Sequence, residues 1–306
     1  MAKVLIATVK PFAPAAVNEI KKIFKQANYE VILLEKYADQ SDFVKAVKDV
    51  DALIIRSDKA NREVIEAADN LKIIVRAGAG YDNIDLEAAT EKGIVAMNTP
   101  GQNSNAVAEL ALGMMVYLAR NQYNGKAGTE LRGKKLGIHA YGNVGKYVAQ
   151  IAKGFGMETF AFDPFIPKEA IEADGVKALD SVEELYKNCQ YISLHIPAND
   201  KTKGSINYDL FKIMPKNATL VNTARKEVLC EESLLKIFAD RPDFKYISDI
   251  APDCKDEIVE KFEGRYFFTP KKSGAQTSEA NINAGIASAN QIINFIEKGD
   301  TTFKVN

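Results

Sequence analysis

Histidine is nearly absent from this chain: among 306 residues there are two, His139 and His195. Any chemistry that needs an imidazole base is confined to those positions or does without one. Cysteine is scarce too. Cys189, Cys230 and Cys254 are odd in number and widely spaced, which argues against a disulfide framework or a four-ligand zinc site and fits a reducing compartment. There is no excess of one charge, since 40 Lys plus Arg face 41 Asp plus Glu. That balance lacks the basic footprint of a nucleic-acid binder and the strong charge of a disordered chain. Long apolar runs are missing as well, none approaching the roughly 20 residues that span a bilayer. The opening run before Lys10-Pro11 is too short for a signal-peptide core. A cytoplasmic protein with no membrane, nucleic-acid or metal partner is expected.

What is present is alternation. Short β-branched runs at 3–9, 30–34, 51–55, 72–76 and 94–97, then at 135–140, 157–162, 190–194, 218–222, 245–249 and 266–268, are separated by helix-period stretches such as 15–26, 144–155 and 232–239. Strands alternating with helices predict βαβ units and parallel sheets, an α/β fold. Eleven strands are too many for one ordinary sheet, and at about 150 residues per domain the length also predicts two lobes. The boundary is expected near Asn98-Thr99-Pro100-Gly101, before a long helical pattern from Ser104 to Leu118. A last helix over 278–297 is expected to return to the first lobe, giving domains of 1–98 with 277–306 and of 99–276. The segment 121–133 reads as a loop.

The most informative motif is Leu136-Gly-Ile-His-Ala-Tyr-Gly-Asn-Val-Gly145. An apolar strand, a tight turn and a helix start are the context of a dinucleotide fingerprint, G-x-G-x-x-G, with Ala140 in the first glycine's place. Gly142 would admit the pyrophosphate to the backbone and Gly145 would let helix and strand pack closely. Asn143 and Val144 open the helix, whose free N–H groups and dipole favour phosphate. Asp163, 21 residues after Gly142, ends the next strand where a carboxylate binds ribose hydroxyls, and Pro164-Phe165 follows without a basic residue. NAD is therefore expected rather than NADP. A second run, Arg76-Ala-Gly-Ala-Gly80, reads either as a nest of N–H groups for an anion or as a tight turn without a ligand.

Four further segments stand in order around the fingerprint: Arg76 to Asp85 (RAGAGYDNID), Asn98 to Glu109 (NTPGQNSNAVAE), Ser193 to Pro197 (SLHIP) and Val221 to Arg225 (VNTAR). With them the chain resembles the D-isomer-specific 2-hydroxyacid dehydrogenases along nearly its whole length, and most of all the short phosphoglycerate-oxidising members. The resemblance implies a Rossmann-type NAD domain and a flavodoxin-like substrate domain. It implies that Arg225 holds the substrate carboxylate in a two-pronged contact, with the backbone of Ala79 and Gly80, and that Thr223, Ala224, Asp249, His195 and Val107 border the cofactor. Arg56-Ser57, Arg76 and Asn103 match substrate-side positions, the two arginines being suited to a phosphate. A homodimer through the helix 104–118 is implied as well.

The family's acid/base is a His in a Thr-Pro-His segment, assisted by a Glu upstream. Here the segment is Thr269-Pro270-Lys271-Lys272, and the Glu position, five residues beyond Asp249, holds Cys254. Lys271 stands in the His position and is the expected acid/base, with Lys272 as its rival. Which of Cys254, Asp253 or Asp256 replaces the Glu stays open. A lysine base is activated by cationic neighbours rather than by a carboxylate, so the two losses read as one change. His139, inside an apolar strand, is expected in the core. The stretch 121–133 is shorter than in the family, and no regulatory domain is expected after the last helix. The resemblance implies oxidation of 3-phospho-D-glycerate with NAD, feeding serine synthesis. A hydroxypyruvate or glyoxylate reductase, or another D-2-hydroxyacid dehydrogenase, is the alternative, and an NAD-sensing corepressor without turnover is the reading of a different class.

Overall fold

A computed structural model describes all of residues 1–306. The chain divides into two compact units, Met1–Asn103 with Gln276–Asn306 and Ser104–Ala275. The crossings thus fall at 103/104 and 275/276, where the sequence suggests 98/99 and 276/277.

In the first unit β1 (Lys3–Thr8), β2 (Glu30–Glu35), β3 (Ala52–Ile55), β4 (Ile73–Arg76) and β5 (Val95–Asn98) pair in parallel in the order β2-β1-β3-β4-β5. This is the flavodoxin-like doubly wound order. The central strands read as unbroken apolar runs because both faces are covered. Side chains alternate between faces, so Leu5, Ala7, Leu53 and Ile55 enter one core while Val4, Ile6, Ala52 and Ile54 enter the other. The final helix, Ser278–Lys298, lies in this unit and packs on the helix Pro14–Gln26. A Cβ at Gly285 would sit 2.7 Å from Ile20, so glycine permits that approach.

In the second unit β6 (Lys135–His139), β7 (Glu158–Phe162), β8 (Lys177–Ala178), β9 (Tyr191–Leu194), β10 (Thr219–Asn222), β11 (Lys245–Ser248) and β12 (Tyr266–Phe268) form a parallel sheet in the order β12-β11-β10-β9-β6-β7-β8. Strand order reverses between β6 and β9, the switch point at which nucleotide sites form beyond the carboxyl ends of such sheets. β8, with two residues, is too short to leave a periodic signal and is absent from the sequence reading. The helix Ser104–Ala119 lays Ala108, Ala111, Leu112, Met115 and Leu118 into this unit's own core. Its apolar face is therefore used internally, and Asn105, Glu109 and Gly113 are what it exposes. No helix is long and apolar enough to cross a membrane.

Candidate active site

The fingerprint turn follows β6 at the switch point. Ala140 adopts φ 77°, a left-handed conformation natural to glycine and strained for alanine. A Cβ at Gly145 would meet the Ala140 carbonyl at 2.5 Å, whereas one at Gly142 would meet no atom of the chain within 4 Å. Gly145 is thus required by packing, and Gly142 leaves open space before the helix Asn143–Gly154. That helix begins at Gly142 with no side-chain cap, so its first N–H groups keep their donors for a ligand. Val144, half-buried, leans on the core. The Asp163 carboxylate accepts the N–H of Tyr141 at 2.8 Å and of Phe165 at 2.8 Å, which fixes it beside the turn.

Three neighbouring strands end in buried polar atoms that have no partner. The register pairs Leu194 and Ser248 with Asn222, so the next residues, His195, Thr223 and Asp249, form a row at the carboxyl edge. His195 Nε2, Thr223 Oγ1 and Asp249 Oδ1 are all unpartnered. Leaving such atoms dry costs free energy, and an edge carrying three of them is suited to a polar ligand. The other Asp249 oxygen accepts N–H groups from Gly274 at 2.8 Å and Ser273 at 3.3 Å. Burial raises the Asp249 carboxyl pKa, opposed by the Gly274 N–H, Lys272, Ser273 and Arg225. Val107 lies close to the same turn, as its side chain would touch a Cβ at Gly274 at 3.2 Å.

Asn222, which sequence reasoning passed over, shapes the loop after β10. Its side chain accepts from the Ala224 N–H at 3.0 Å and donates to the Arg225 carbonyl at 2.9 Å. Only its position at the end of an apolar strand could have flagged it. Arg225 Nη1 donates to the Ala224 carbonyl at 2.9 Å, and Lys272 Nζ reaches the same oxygen at 3.4 Å. Lys271 and Lys272 are both exposed, and the Lys271 carbonyl accepts the hydroxyls of Thr269 and Ser273, each at 2.7 Å. Of the two, Lys272 is the one whose ammonium reaches the loop that carries Arg225. Cys254 offers no proton at neutral pH, since burial and then Glu231 push its thiol up to about 12. Glu231 caps this segment, accepting the N–H groups of Asp253 at 2.7 Å and Cys254 at 2.8 Å. Asp253 pairs with Lys226, and Asp256 lies in the first turn of the helix Lys255–Lys261. His139 is 9% exposed, near the Tyr186 hydroxyl at 3.4 Å, and burial pushes its pKa down to about 4.

In the first unit, Gly78 has φ 148°, and a Cβ there would collide with the Arg76 guanidinium. Arg76 therefore lies over the glycine turn, its Nε donating to the Arg56 carbonyl at 3.1 Å. The Gly78 N–H is turned back to the Arg76 carbonyl at 2.8 Å, while those of Ala79 and Gly80 donate to no backbone carbonyl. Arg56 is tied inward: Nη1 donates to the carbonyls of Lys10 and Pro11, both at 3.0 Å, and Nη2 to Asn281. That arrangement makes Arg56 a fastener of three segments rather than an open phosphate ligand. Ser57 is exposed and Asn103 half-buried.

Comparison with known proteins is consistent with this geometry. Residues 5–306 match the D-isomer specific 2-hydroxyacid dehydrogenase catalytic-domain family. A D-3-phosphoglycerate dehydrogenase of Methanocaldococcus jannaschii is 39% identical over 83% of this chain and 51% of its own length. A hydroxypyruvate reductase of Thermotoga maritima is 36% identical over 84% of this chain and 88% of its own. The chain thus spans about half the length of the first of these relatives. Among solved structures, the NAD+-bound 3-phosphoglycerate dehydrogenase of Entamoeba histolytica is 48% identical with a TM-score of 0.88, covering 100% of this chain and 98% of that one.

Proposed function

The chain belongs to the D-isomer-specific 2-hydroxyacid dehydrogenase family, and on that premise we propose that it is an NAD-dependent oxidoreductase of 3-phospho-D-glycerate, the entry to serine synthesis. The observation that carries the reading is the row of unpartnered atoms on His195, Thr223 and Asp249 beside an uncapped helix start at Gly142. A dinucleotide supplies what each lacks: phosphate oxygens for N–H groups and a nicotinamide edge for the buried row.

Unit 104–275 then serves the cofactor and unit 1–103 with 276–306 the substrate. Asp163, held by Tyr141 and Phe165, takes the adenosine ribose hydroxyls. The N–H groups of Ala79 and Gly80, with Arg76 above Gly78, are offered to anionic substrate groups. Arg225 binds the carboxylate, for which its planar fork is suited, and Asn222 orients it. Bound NAD supplies hydride acceptance, and its reduced form hydride donation. The neutral amine of Lys272 takes the proton from the substrate hydroxyl in oxidation, and the ammonium so formed returns it in reduction. The Arg225 guanidinium nearby favours the neutral amine, and the Ala224 carbonyl at 3.4 Å orients it. A homodimer forms through the outer face of the helix Ser104–Ala119, where a Cβ at Gly113 would meet nothing within 4 Å. Light scattering on the protein and on Gly113→Arg tests this; a wild-type monomer sinks it.

NADH absorbance read with 3-phosphoglycerate, glycerate and lactate offered separately, and hydroxypyruvate in reverse, tests the activity. A preference of at least tenfold in kcat/KM for 3-phosphoglycerate is expected. The likeness to the Thermotoga relative supports a second reading, hydroxypyruvate reduction, which a preference for that substrate would establish. Tight NADH binding without turnover of any of the four would overturn both and leave an NAD-sensing binding protein.

A further inference from the structure

The second unit carries a cavity at the opposite end of its sheet. Lys245 opens β11, Thr219 opens β10 and Tyr191 opens β9, and the register sets them side by side, with Thr219 paired to both neighbours. With Lys134, which precedes β6, and Thr129 and Gln190, they line a cavity of about 160 Å3. That is several times the roughly 30 Å3 a water occupies in the liquid. One wall is apolar, formed by Leu118 and Ala119 at the end of the helix Ser104–Ala119. The fingerprint turn lies beyond the carboxyl ends of the same sheet, a strand's length away, about 13 Å for four residues. The cavity is therefore separate from the site described above.

Its chemistry is of one sign. Lys245 and Lys134 both line it, and no carboxylate does. The Lys245 ammonium is half-buried and forms no ion pair, and burial lowers its pKa without any opposing carboxylate. Half-buried ammonium groups are ordinarily paired or extended to solvent. Tyr191, 7% exposed, lines the cavity together with Thr129 and Thr219, so three rotatable O–H groups face the same space. Two cations, hydroxyl donors and no competing carboxylate are the recognition set for a doubly charged oxyanion.

We propose that this cavity is a binding site for phosphate or a small phosphate ester, held by Lys134 and Lys245 with the Thr129, Tyr191 and Thr219 hydroxyls. It lies at the amino ends of the strands whose carboxyl ends carry His195, Thr223 and Asp249. An anion there stiffens the row of strands on which that edge depends. The site does not rest on the dehydrogenase reading, because none of its residues belongs to that machinery.

Calorimetric titration of inorganic phosphate into the full chain saturated with NADH tests the site while the fingerprint turn is occupied. One phosphate per chain is expected, weakened at least tenfold in Lys245→Met and in Lys134→Met, with the NADH Kd measured by fluorescence unchanged in both. Glycerol phosphate run in parallel identifies whether the bare ion or an ester binds more tightly. Absence of binding at millimolar phosphate, or equal binding in wild type and both variants, overturns the proposal. Thermal unfolding guards against a variant that folds poorly. Phosphate should raise the wild-type Tm and leave that of Lys245→Met or Lys245→Gln unmoved, and a Tm rise retained in every variant counts against the site.

Discussion

Arg225 and Lys272 converge on one acceptor, the Ala224 carbonyl, at 2.9 and 3.4 Å. They are 47 positions apart, and the loops after β10 and β12 bring them together. A guanidinium that keeps its charge thus stands beside an amine that can exchange a proton, the pair on which the proposed oxidation of a hydroxy acid rests.

Replacing each lysine by methionine separates the two candidates. Lys272→Met should lower kcat by about 100-fold or more, the usual contribution of general acid–base catalysis, and leave the NADH Kd within about twofold. Lys271→Met should retain most of kcat. Steady-state kinetics on both variants decides, and the reverse pattern would return the role to Lys271.

The fingerprint glycines should fail in different ways. Gly142→Ala meets no atom of the chain, so its Tm should hold while NADH binding weakens at least tenfold by fluorescence titration. Gly145→Ala drives a methyl against the Ala140 carbonyl and should lose about 1–3 kcal/mol of stability, the usual cost of overpacking, in addition to cofactor affinity.

Ala140→Gly relieves a left-handed alanine. The gain, roughly 1–2 kcal/mol, is partly offset by the greater freedom of glycine in the unfolded chain, about 0.4–1 kcal/mol. Denaturant unfolding should show equal or slightly higher stability, and a clear loss would mean that the alanine is not strained. Ala140→Val should be destabilised.

Both histidines carry pKa values lowered by burial, His139 to about 4 and His195 to about 3. A depressed folded-state pKa means that the unfolded chain binds more protons below about 6.5, so stability there rises with rising pH and drops as pH drops. Their contribution is complete above pH 6.5 and is lost progressively as pH drops toward 4, by up to about 1.4 kcal/mol per unit for each fully buried imidazole. Urea unfolding at pH 7.5, 6 and 5 should show this slope, and His139→Asn should flatten it.

The two arginines of the first unit should separate by phenotype. Arg56→Met breaks three internal hydrogen bonds and should mainly lower the Tm. Arg76→Met should mainly raise KM for 3-phosphoglycerate, by about tenfold if it meets one charged group. A KM effect confined to Arg56→Met would reverse the assignment.

The local pattern was legible wherever chemistry and periodicity coincide. β1, β3 and β10 are short, almost wholly buried runs rich in Val, Ile and Leu, and the fingerprint from Leu136 to Gly145 declares strand, turn and helix in one stretch, because each of those states has its own residue requirements. What tertiary structure decided lies in relations between distant segments. Arg56 reads like Arg76 on paper, yet folding ties it to Lys10, Pro11 and Asn281. The apolar face of the helix Ser104–Ala119 looks the same whether it meets its own sheet or a partner, and only the packing assigns it to the sheet. Lys271 and Lys272 share composition, neighbourhood and exposure, and it is folding that brings the Lys272 ammonium to the Ala224 carbonyl. Sequence carries the types of groups and their local conformations, because those depend on near neighbours. Which group meets which is set by the strand order, since a parallel sheet places side by side residues that the chain keeps tens of positions apart.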